Sequence, residues 1–475
     1  MFSKPSKIGD FLWEIPQSGK MRVPARIYGT EKIIKETEEE AIRQIINVTY
    51  LPGIVNYAIA MPDIHSGYGP PIGGVGATLI PDGVISPGFV GYDQNCGVRL
   101  LRSDLSAQEI KDRMDKISTA IQSNVPSGLG KGRTEKMSLN EIDLVLKEGV
   151  SYLVGKGYGV AEDIIYCEES GRMDNADPKF VSDRAKERGR GQLGTLGSGN
   201  HFCEIQKVVE VFDKETAEVF GIENDQVVIM IHTGSRGLGH QNCTDYLKII
   251  SNAMDQYGIK VPDRELACVP FNSTEGSNFF AALSAACNFA WANRQMITHY
   301  VRLSWEKVFG EAHPLDLVYD VAHNIAKVEE HEIDGVKKKL LVHRKGATRA
   351  FPPESLEIPE RHRKTGQVVF IPGSMGDSSY ILSGVVTSNE SWHTVCHGAG
   401  RRMSRKAALR KIDGRNLIKE LNKKGIIVKS HSLRGIAEEA PSAYKDIDEV
   451  IGSVVGAKLA KKVAKLKPLA VIKGE

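Results

Sequence analysis

Residues 226–237 read QVVIMIHTGSRG: a short run rich in β-branched side chains that passes directly into a histidine and a Gly-flanked arginine. A run of this length, closed by a polar, glycine-containing loop, predicts a strand buried on both faces. LDLVYDV (315–321) and QVVFI (367–371) have the same form, each ending in a polar or Gly-rich loop. Chemistry-bearing residues at strand ends are typical of mixed α/β enzymes. Upstream, EKIIKETEEEAIRQIINVTYL (31–51) reads as helical and precedes the Gly/Pro-rich MPDIHSGYGPPIGGVGATL (61–79). Residues 104–175 read mainly as helices around the charged, glycine-interrupted SGLGKGRTEKMS (127–138). With no tandem repeat and no low-complexity linker, and with glycine motifs spread from 67 to 400, one interwoven α/β domain is expected.

Composition sets broad limits. The chain has 475 residues, 41% hydrophobic and 25% charged, enough for several layers of core. Its net charge of +3 balances 62 basic against 59 acidic residues, so any polyanion site must come from local clusters. The N-terminal MFSKPSKIGDFLWEIPQ lacks an apolar leader core, and no run approaches the roughly 20 residues of a membrane span. A cytoplasmic location and no membrane partner are expected. Seven cysteines (96, 167, 203, 243, 268, 287, 396) without CxxC spacing suit reduced thiols. Cys203, Cys268 and Cys287 sit in apolar contexts and are expected in the core.

In GYDQNCGVR (91–99), Asp93 and Cys96 stand three apart beside glycines. A turn can aim that hard oxygen and soft thiolate at one point, where a strand would send them to opposite faces. His201 follows GQLGTLGSGN, His232 follows QVVIMI, and His323 closely follows LDLVYDV, so each comes where a buried element emerges into a loop. Singly, each reads as a polar cap on a strand end. Together with Asp93 and Cys96 they form a set of mixed softness, able to hold one ion or a pair sharing the thiolate, with Mn²⁺ or Zn²⁺ compatible by ligand type.

A second group points to phosphate. In CHGAGR, His397 is followed by Gly398, Ala399, Gly400 and Arg401, so backbone N–H groups can approach an anion while the imidazole is free to attack it. If NHFCEI (200–205) is extended, Asn200, Phe202 and Glu204 share one face, and His201 and Cys203 the other. Arg236 lies on a Gly-flanked loop after His232, and HRKGATRA (343–350) gathers Arg344, Lys345 and Arg349. PGSMGDSSY (372–380) is a loop of small donors that does not match the Walker pattern. RRMSRKAALRK reads as a helix with Arg401, Arg402, Arg405 and Lys406 near its start, a crowding that suggests a bound polyphosphate or nucleic-acid end.

From about residue 60 onward, MPDIHSGYGPPIGG, DQNCG, GSGNHFCE, HTGSRG, VAHN, HRKGATRA, PGSMGDSSY, CHGAGR, SHSLRGIAEEAPSAYKDID and the terminal IKG closely resemble the RtcB family of RNA-splicing ligases. The resemblance implies a single RtcB-like α/β catalytic domain over residues 1–475, with mixed β-sheets and surrounding helices. It implies GTP- and Mn²⁺-dependent joining of RNA 2′,3′-cyclic phosphate or 3′-phosphate ends to 5′-hydroxyl ends, in tRNA splicing or RNA repair. Carried over, one Mn²⁺ is expected on Cys96, His232 and His323, and a second on Asp93, Cys96 and His201. His397 is expected to become guanylylated. The GTP or GMP site is expected from Asn200, Glu204, His323, Asn324, Pro372, Gly373, Ser374, Met375, Ser379, His397, Gly398, Ala399, Gly400, Tyr444 and Lys473. Arg236, Lys345 and Arg405 are expected on RNA, and His65 near the site without an assigned role. The expected partners are tRNA halves or cleaved RNA ends; some family members also use the small protein archease, and the sequence decides neither that nor the oligomeric state. The rival readings are a dinuclear metal phosphoesterase acting on RNA ends and a non-enzymatic RNA-end-binding protein.

Overall fold

The computed structural model describes residues 4–474 except Leu129 and Glu135, which lie within the glycine-interrupted segment 127–138. The run QVVIMI forms most of the strand Gln226–Thr233, every residue of which is buried. Val227, Ile229 and Ile231 enter one core with Ile117, Ile121 and Trp305. Val228 and Met230 enter another with Ala217 and Phe220. Both faces are covered, which is why the run is continuously apolar and does not alternate.

That strand lies inside the larger of two main sheets. Its order is Asp316–Ala322, Gly97–Ser106, Gln226–Thr233, Phe202–Val211, Ala460–Lys473, Ser379–Gly384, Val368–Ile371, with Ile427–Lys429 pairing parallel to Ala460–Lys473. The second sheet runs Ser6–Gly9, Leu12–Ile15, Ala25–Tyr28, Ala58–His65, Ile72–Leu79, Val336–Lys345, Asn324–Ile333. His323 is the single residue between Ala322 of the first sheet and Asn324 of the second, so the chain crosses between sheets at that histidine.

Register gathers the strand ends. Gly97 lies opposite both Ala322 and Thr233, Val98 opposite His232, and Phe202 opposite both His232 and Lys473. In an antiparallel ladder these pairings bring Cys96, Phe202, His232, His323 and Lys473 to one edge, although they span most of the sequence. A two-stranded ladder, Ala347–Arg349 with Thr394–Cys396, sets Cys396 opposite Ala347 and delivers His397 to the same edge.

The helix Thr274–Phe309 is capped by Ser273, whose hydroxyl accepts from the Gly276 amide, and it is buried along most of its 36 residues. The stretch 31–51 forms two helices, Glu31–Glu36 and Glu39–Val48, because Thr37 takes an extended conformation between them. Helices fill much of 104–175, as the sequence suggests. Cys203, Cys268 and Cys287 are fully buried in three different cores, and the seven cysteines are free thiols. Among the described residues no helix is long and apolar enough to cross a membrane.

Candidate active site

The gathered strand ends line a cavity of about 390 Å³, a size typical of small-ligand sites. Asp93, Cys96, His232 and His323 reach it from the first sheet, His65 and Lys345 from the second, and His397 from the small ladder.

The five metal candidates converge. Cys96, His232 and His323 form one group of donor atoms and Asp93, Cys96 and His201 a second, with all donors in each group within 4.8 Å of one another. The Cys96 sulfur lies 3.3 Å from His232 Nε2 and 3.4 Å from His201 Nε2. His201 Nε2 is 2.8 Å from Asp93 Oδ2. Backbone carbonyls orient two of the rings. His201 Nδ1 lies 3.0 Å from the Leu196 oxygen, and His232 Nδ1 3.1 Å from the Asn200 oxygen. A carbonyl can only accept, so each Nδ1 carries a hydrogen, and each Nε2 is left pointing inward at the other donors, the orientation of a metal-binding imidazole. The Nε2 atoms of His232 and His323 face each other at 3.3 Å. Burial, and then the neighbouring histidines, push both rings well below the ordinary histidine pKa. Neutral imidazole lone pairs aimed at one point beside a thiol fit a soft-to-borderline divalent cation. Burial, and then the charge of Asp93, raise the Cys96 thiol, so binding must displace its proton.

Arg294, on the long buried helix, braces this cluster from behind. It chelates Asp320 (2.8 Å from Nη2 to Oδ1, 2.8 Å from Nε to Oδ2) and donates from Nη1 to the Asn95 and Thr233 carbonyls, both at 2.8 Å. Asn95 precedes Cys96, Thr233 follows His232, and Asp320 lies on the strand leading to His323. One guanidinium thus ties three donor-bearing segments together. Nothing in the local sequence around Arg294 marks it, because its partners are distant in the chain.

His397 stands beside the cluster, its ring centroid 4.8 Å from that of His323. Asp63, fully buried, accepts through one oxygen both from His397 Nδ1 at 2.6 Å and from the His397 backbone amide at 3.0 Å. With Nδ1 committed, Nε2 is the free nitrogen. Sequence reading overlooked Asp63 within PDIHSGYG; the available signal was a carboxylate on an apolar strand next to a glycine-rich turn. Gly400 has φ +73°, and a Cβ there would sit 2.2 Å from the Asp63 carbonyl oxygen, so this glycine serves the approach of the histidine loop to Asp63. Lys445 clamps the same strand by donating to the Pro62 (3.2 Å) and Ile64 carbonyls, and burial lowers it to about 8. His65 donates from Nδ1 to the Asp63 carbonyl at 2.8 Å, and burial pushes it to about 3.

Most of the nucleotide candidates belong to the same lining. Asn200, Glu204, Asn324, Pro372, Gly373, Ser374, Met375, Gly398, Ala399, Gly400, Tyr444 and Lys473 all line the cavity. Burial raises Glu204 to about 7, opposed by a 2.7 Å hydrogen bond from Gln206 and by the charge of Lys473. Phe202 and Glu204 face the cavity while Cys203 faces the opposite core, as alternation requires. Ser379 stands behind the lining, accepting from Gln206 and from the Gly373 amide, both at 3.2 Å. The Asn324 side chain is already used: it donates to the Asp93 carbonyl at 3.0 Å and accepts from the Gly346 amide at 2.7 Å.

The basic candidates divide. Lys345 lines the cavity with its ammonium on the Tyr68 and Gly88 carbonyls, and burial lowers it to about 8. Arg236 lies beside His201 outside the lining, bonded to Thr195 Oγ1 at 3.2 Å. Arg344 and Arg349 are corrections to the phosphate reading: Arg344 is fully buried against Glu329, and Arg349 is buried against Glu168 and Glu169. The helix after His397 begins only at Arg405, capped by Ser404, and Arg401 lies outside it. The anion that accommodates this crowding is the protein's own Glu439, which takes Arg401 at 3.1 Å and Arg405 at 2.9 Å, and also Tyr444. Burial would raise Glu439, but the charges of Lys473, Arg405 and Arg401 hold it at about 2.

These features define an α/β protein whose two sheets meet at a Cys/His/Asp cluster beside a carboxylate-held histidine. Residues 44–474 match the family model described as tRNA-splicing ligase RtcB, and the chain belongs to the RtcB family. It is 51% identical over 474 residues to the "tRNA-splicing ligase RtcB" of Thermococcus kodakarensis, covering 98% of each chain. The protein of that name from Archaeoglobus fulgidus is also 51% identical, with 98% of each chain covered. The "RNA-splicing ligase RtcB" of Mycobacterium tuberculosis is 49% identical over 436 residues, 91% of this chain and 100% of that one.

Proposed function

We propose that this chain is an RNA ligase of the tRNA-splicing type, joining a 3′-phosphate or 2′,3′-cyclic phosphate end to a 5′-hydroxyl end at the expense of GTP. The observation that carries the reading is the 2.6 Å contact between Asp63 and His397 Nδ1, which leaves Nε2 as the nitrogen free to attack beside the cluster of metal-type donors.

In this reading a cyclic end is first opened by water to a 3′-phosphate. His397 Nε2 then attacks the α-phosphorus of GTP; the P–N bond forms, the bond to the bridging oxygen breaks, and pyrophosphate leaves. The Asp63 carboxylate stabilises the positive charge that develops on the imidazole. The RNA 3′-phosphate oxygen next attacks the same phosphorus, the P–N bond breaks, and an RNA 3′-pp-5′-G end forms. The 5′-hydroxyl finally attacks the RNA phosphorus, and GMP leaves with the bridging oxygen. Glu204 accepts from guanine N1–H and N2–H₂, Lys473 donates to O6 or N7, and the Tyr444 ring packs on the base. Asp93, Cys96, His201, His232 and His323 are the residues that would hold two Mn²⁺ ions with Cys96 shared. Such ions would stabilise negative charge on the phosphates. Lys345, Arg236 and Arg405 supply positive charge toward RNA. The chain acts as one catalytic domain in the cytoplasm on tRNA halves or cleaved RNA ends.

The test is incubation with Mn²⁺ and α-³²P-labelled GTP, with ATP in parallel and archease as an optional addition, followed by denaturation and peptide mapping. Label on His397 that chases onto a 3′-phosphate RNA is expected, and His397→Ala should lose it while still binding metal. Absence of adduct together with metal-only hydrolysis of RNA phosphate ends would replace the ligase with a phosphoesterase.

A further inference from the structure

Residues 401–434 hold twelve Lys or Arg against two Asp or Glu in a chain whose total is +3, so the remainder is net negative. Arg401 and Arg405 are accounted for by Glu439. Beyond them, Lys406, Arg410 and Lys411 lie on the helix Arg405–Lys411, and Arg415, Lys419 and Lys423 on the helix Gly414–Lys423. All six are exposed, and none forms an ion pair among the described residues.

Their arrangement is ordered. Arg415, Lys419 and Lys423 follow at i, i+4 and i+8, one stripe on one helical face. Like charges at i, i+4 each cost the helix a few tenths of a kcal/mol, so the stripe is locally unfavourable unless an anion lies along it. The opposite face carries Leu417, Ile418 and Leu421, which pack with Ile426, Ile436, Val471 and Met375. Met375 lines the central cavity. The basic helix is therefore mounted on the outer side of the cavity wall. The preceding helix starts at Arg405, which also lines the cavity, while the rest of that helix lies outside the lining. Helices of seven and ten residues span about 10 and 15 Å, a path several nucleotides long.

We propose that the Arg405–Lys423 helix pair is a track for the phosphodiester backbone of the RNA whose end enters the cavity. This inference rests on the RNA-ligase reading above and adds where the body of the substrate lies. The contacts would be to phosphates, positioning the strand without reading its bases.

The test compares the wild type with an Arg415→Gln/Lys419→Gln/Lys423→Gln variant, in which glutamine keeps helix propensity. A charge-keeping variant, Arg415→Lys/Lys419→Arg/Lys423→Arg, serves as control. Affinities for a 20-nucleotide and a 3-nucleotide 3′-phosphorylated RNA are measured over a range of KCl concentrations. Losing three phosphate contacts should flatten the plot of log K against log salt by about 2 units for the 20-mer. It should also weaken that RNA roughly tenfold or more at 0.15 M salt. The 3-mer and the charge-keeping variant should behave as wild type. An unchanged slope for the 20-mer would overturn the proposal and assign the stripe to another polyanion, such as an acidic protein; equal loss on the 3-mer would overturn it in favour of an effect inside the cavity. GMP labelling of His397 is read separately. Labelling that fails already in the wild type would count against the ligase reading, whereas normal labelling with an unchanged salt slope counts only against the track.

Discussion

Replacing Asp63 by asparagine keeps the side chain's shape and removes its charge. In the native protein Oδ2 accepts both from His397 Nδ1 (2.6 Å) and from the His397 amide (3.0 Å), while Oδ1 is buried without a hydrogen-bond partner among the described residues. If the amide oxygen takes the Oδ2 position, both bonds survive as neutral ones. The loss is then the difference between charge-assisted and neutral bonding, about 1–2 kcal/mol, or roughly tenfold in rate. That placement strands an NH₂ where Oδ1 was, costing about 1–3 kcal/mol more in stability. If the amide flips, its NH₂ faces two donors, Nδ1–H must give up its hydrogen, and the proton moves to Nε2. The nucleophilic lone pair is then lost, an error that costs a Ser-His-Asp triad roughly 10⁴-fold. The expected slowing therefore lies between about 10-fold and 10⁴-fold, read as the single-turnover rate of GMP adduct formation at saturating metal. Mn²⁺ stoichiometry by calorimetry should not change, because Asp63 belongs to neither donor group. Adduct formation at the wild-type rate in Asp63→Asn would refute the orienting role.

Cys96→Ser should weaken both donor groups together, since only Cys96 belongs to both; titration showing one site untouched would refute the shared thiolate. Arg294→Met leaves Asp320 its Arg99 partner but takes the side-chain donor from the Asn95 and Thr233 carbonyls, so it should cost about 1–3 kcal/mol and also lower Mn²⁺ affinity. Arg99→Met, which strips a 2.7 Å partner from the same Asp320 without touching the Asn95 or Thr233 carbonyls, should destabilise with little effect on metal. Equal metal loss in both variants would show that Arg294 acts only through general stability. Glu204 keeps its proton to about 7 in the folded state against the ordinary glutamate value of 4.5. Between those values the folded state binds more protons, so stability falls as pH rises, by about 3 kcal/mol in all. Urea midpoints of wild type minus Glu204→Gln across pH 4.5–8 should trace that decline, and a flat difference would place the proton elsewhere. Glu204→Ala should also relax the preference for GTP over ATP in adduct formation, and unaltered discrimination would move base reading to other residues.

Much of the molecule was legible because its signals are local. QVVIMI, LDLVYDV and QVVFI announce strands covered on both faces, and the histidines that follow the first two fall where the ladder register gathers them. Other features were not legible because they depend on pairing across the chain. Arg344, Lys345 and Arg349 look alike in HRKGATRA, yet only Lys345 reaches the cavity; the other two are claimed by Glu329, Glu168 and Glu169, whose proximity no local pattern reveals. Asp63 and Arg294 were missed for the same reason, since each acts on residues hundreds of positions away or on backbone atoms that carry no sequence signature. The short N-terminal strands Ser6–Gly9, Leu12–Ile15 and Ala25–Tyr28 have only four residues each, too few for a periodicity to stand out.

The strand Ala460–Lys473 sits in the interior of the larger sheet, between Phe202–Val211 and Ser379–Gly384. During translation, at about 5–20 residues per second, both strands that flank it are made before it. Until it inserts, the sheet is split into two parts with open edges, and Lys473 is missing from the cavity. A folding intermediate without this strand therefore lacks a complete cavity, and its unpaired edges are open to non-native pairing until the strand docks.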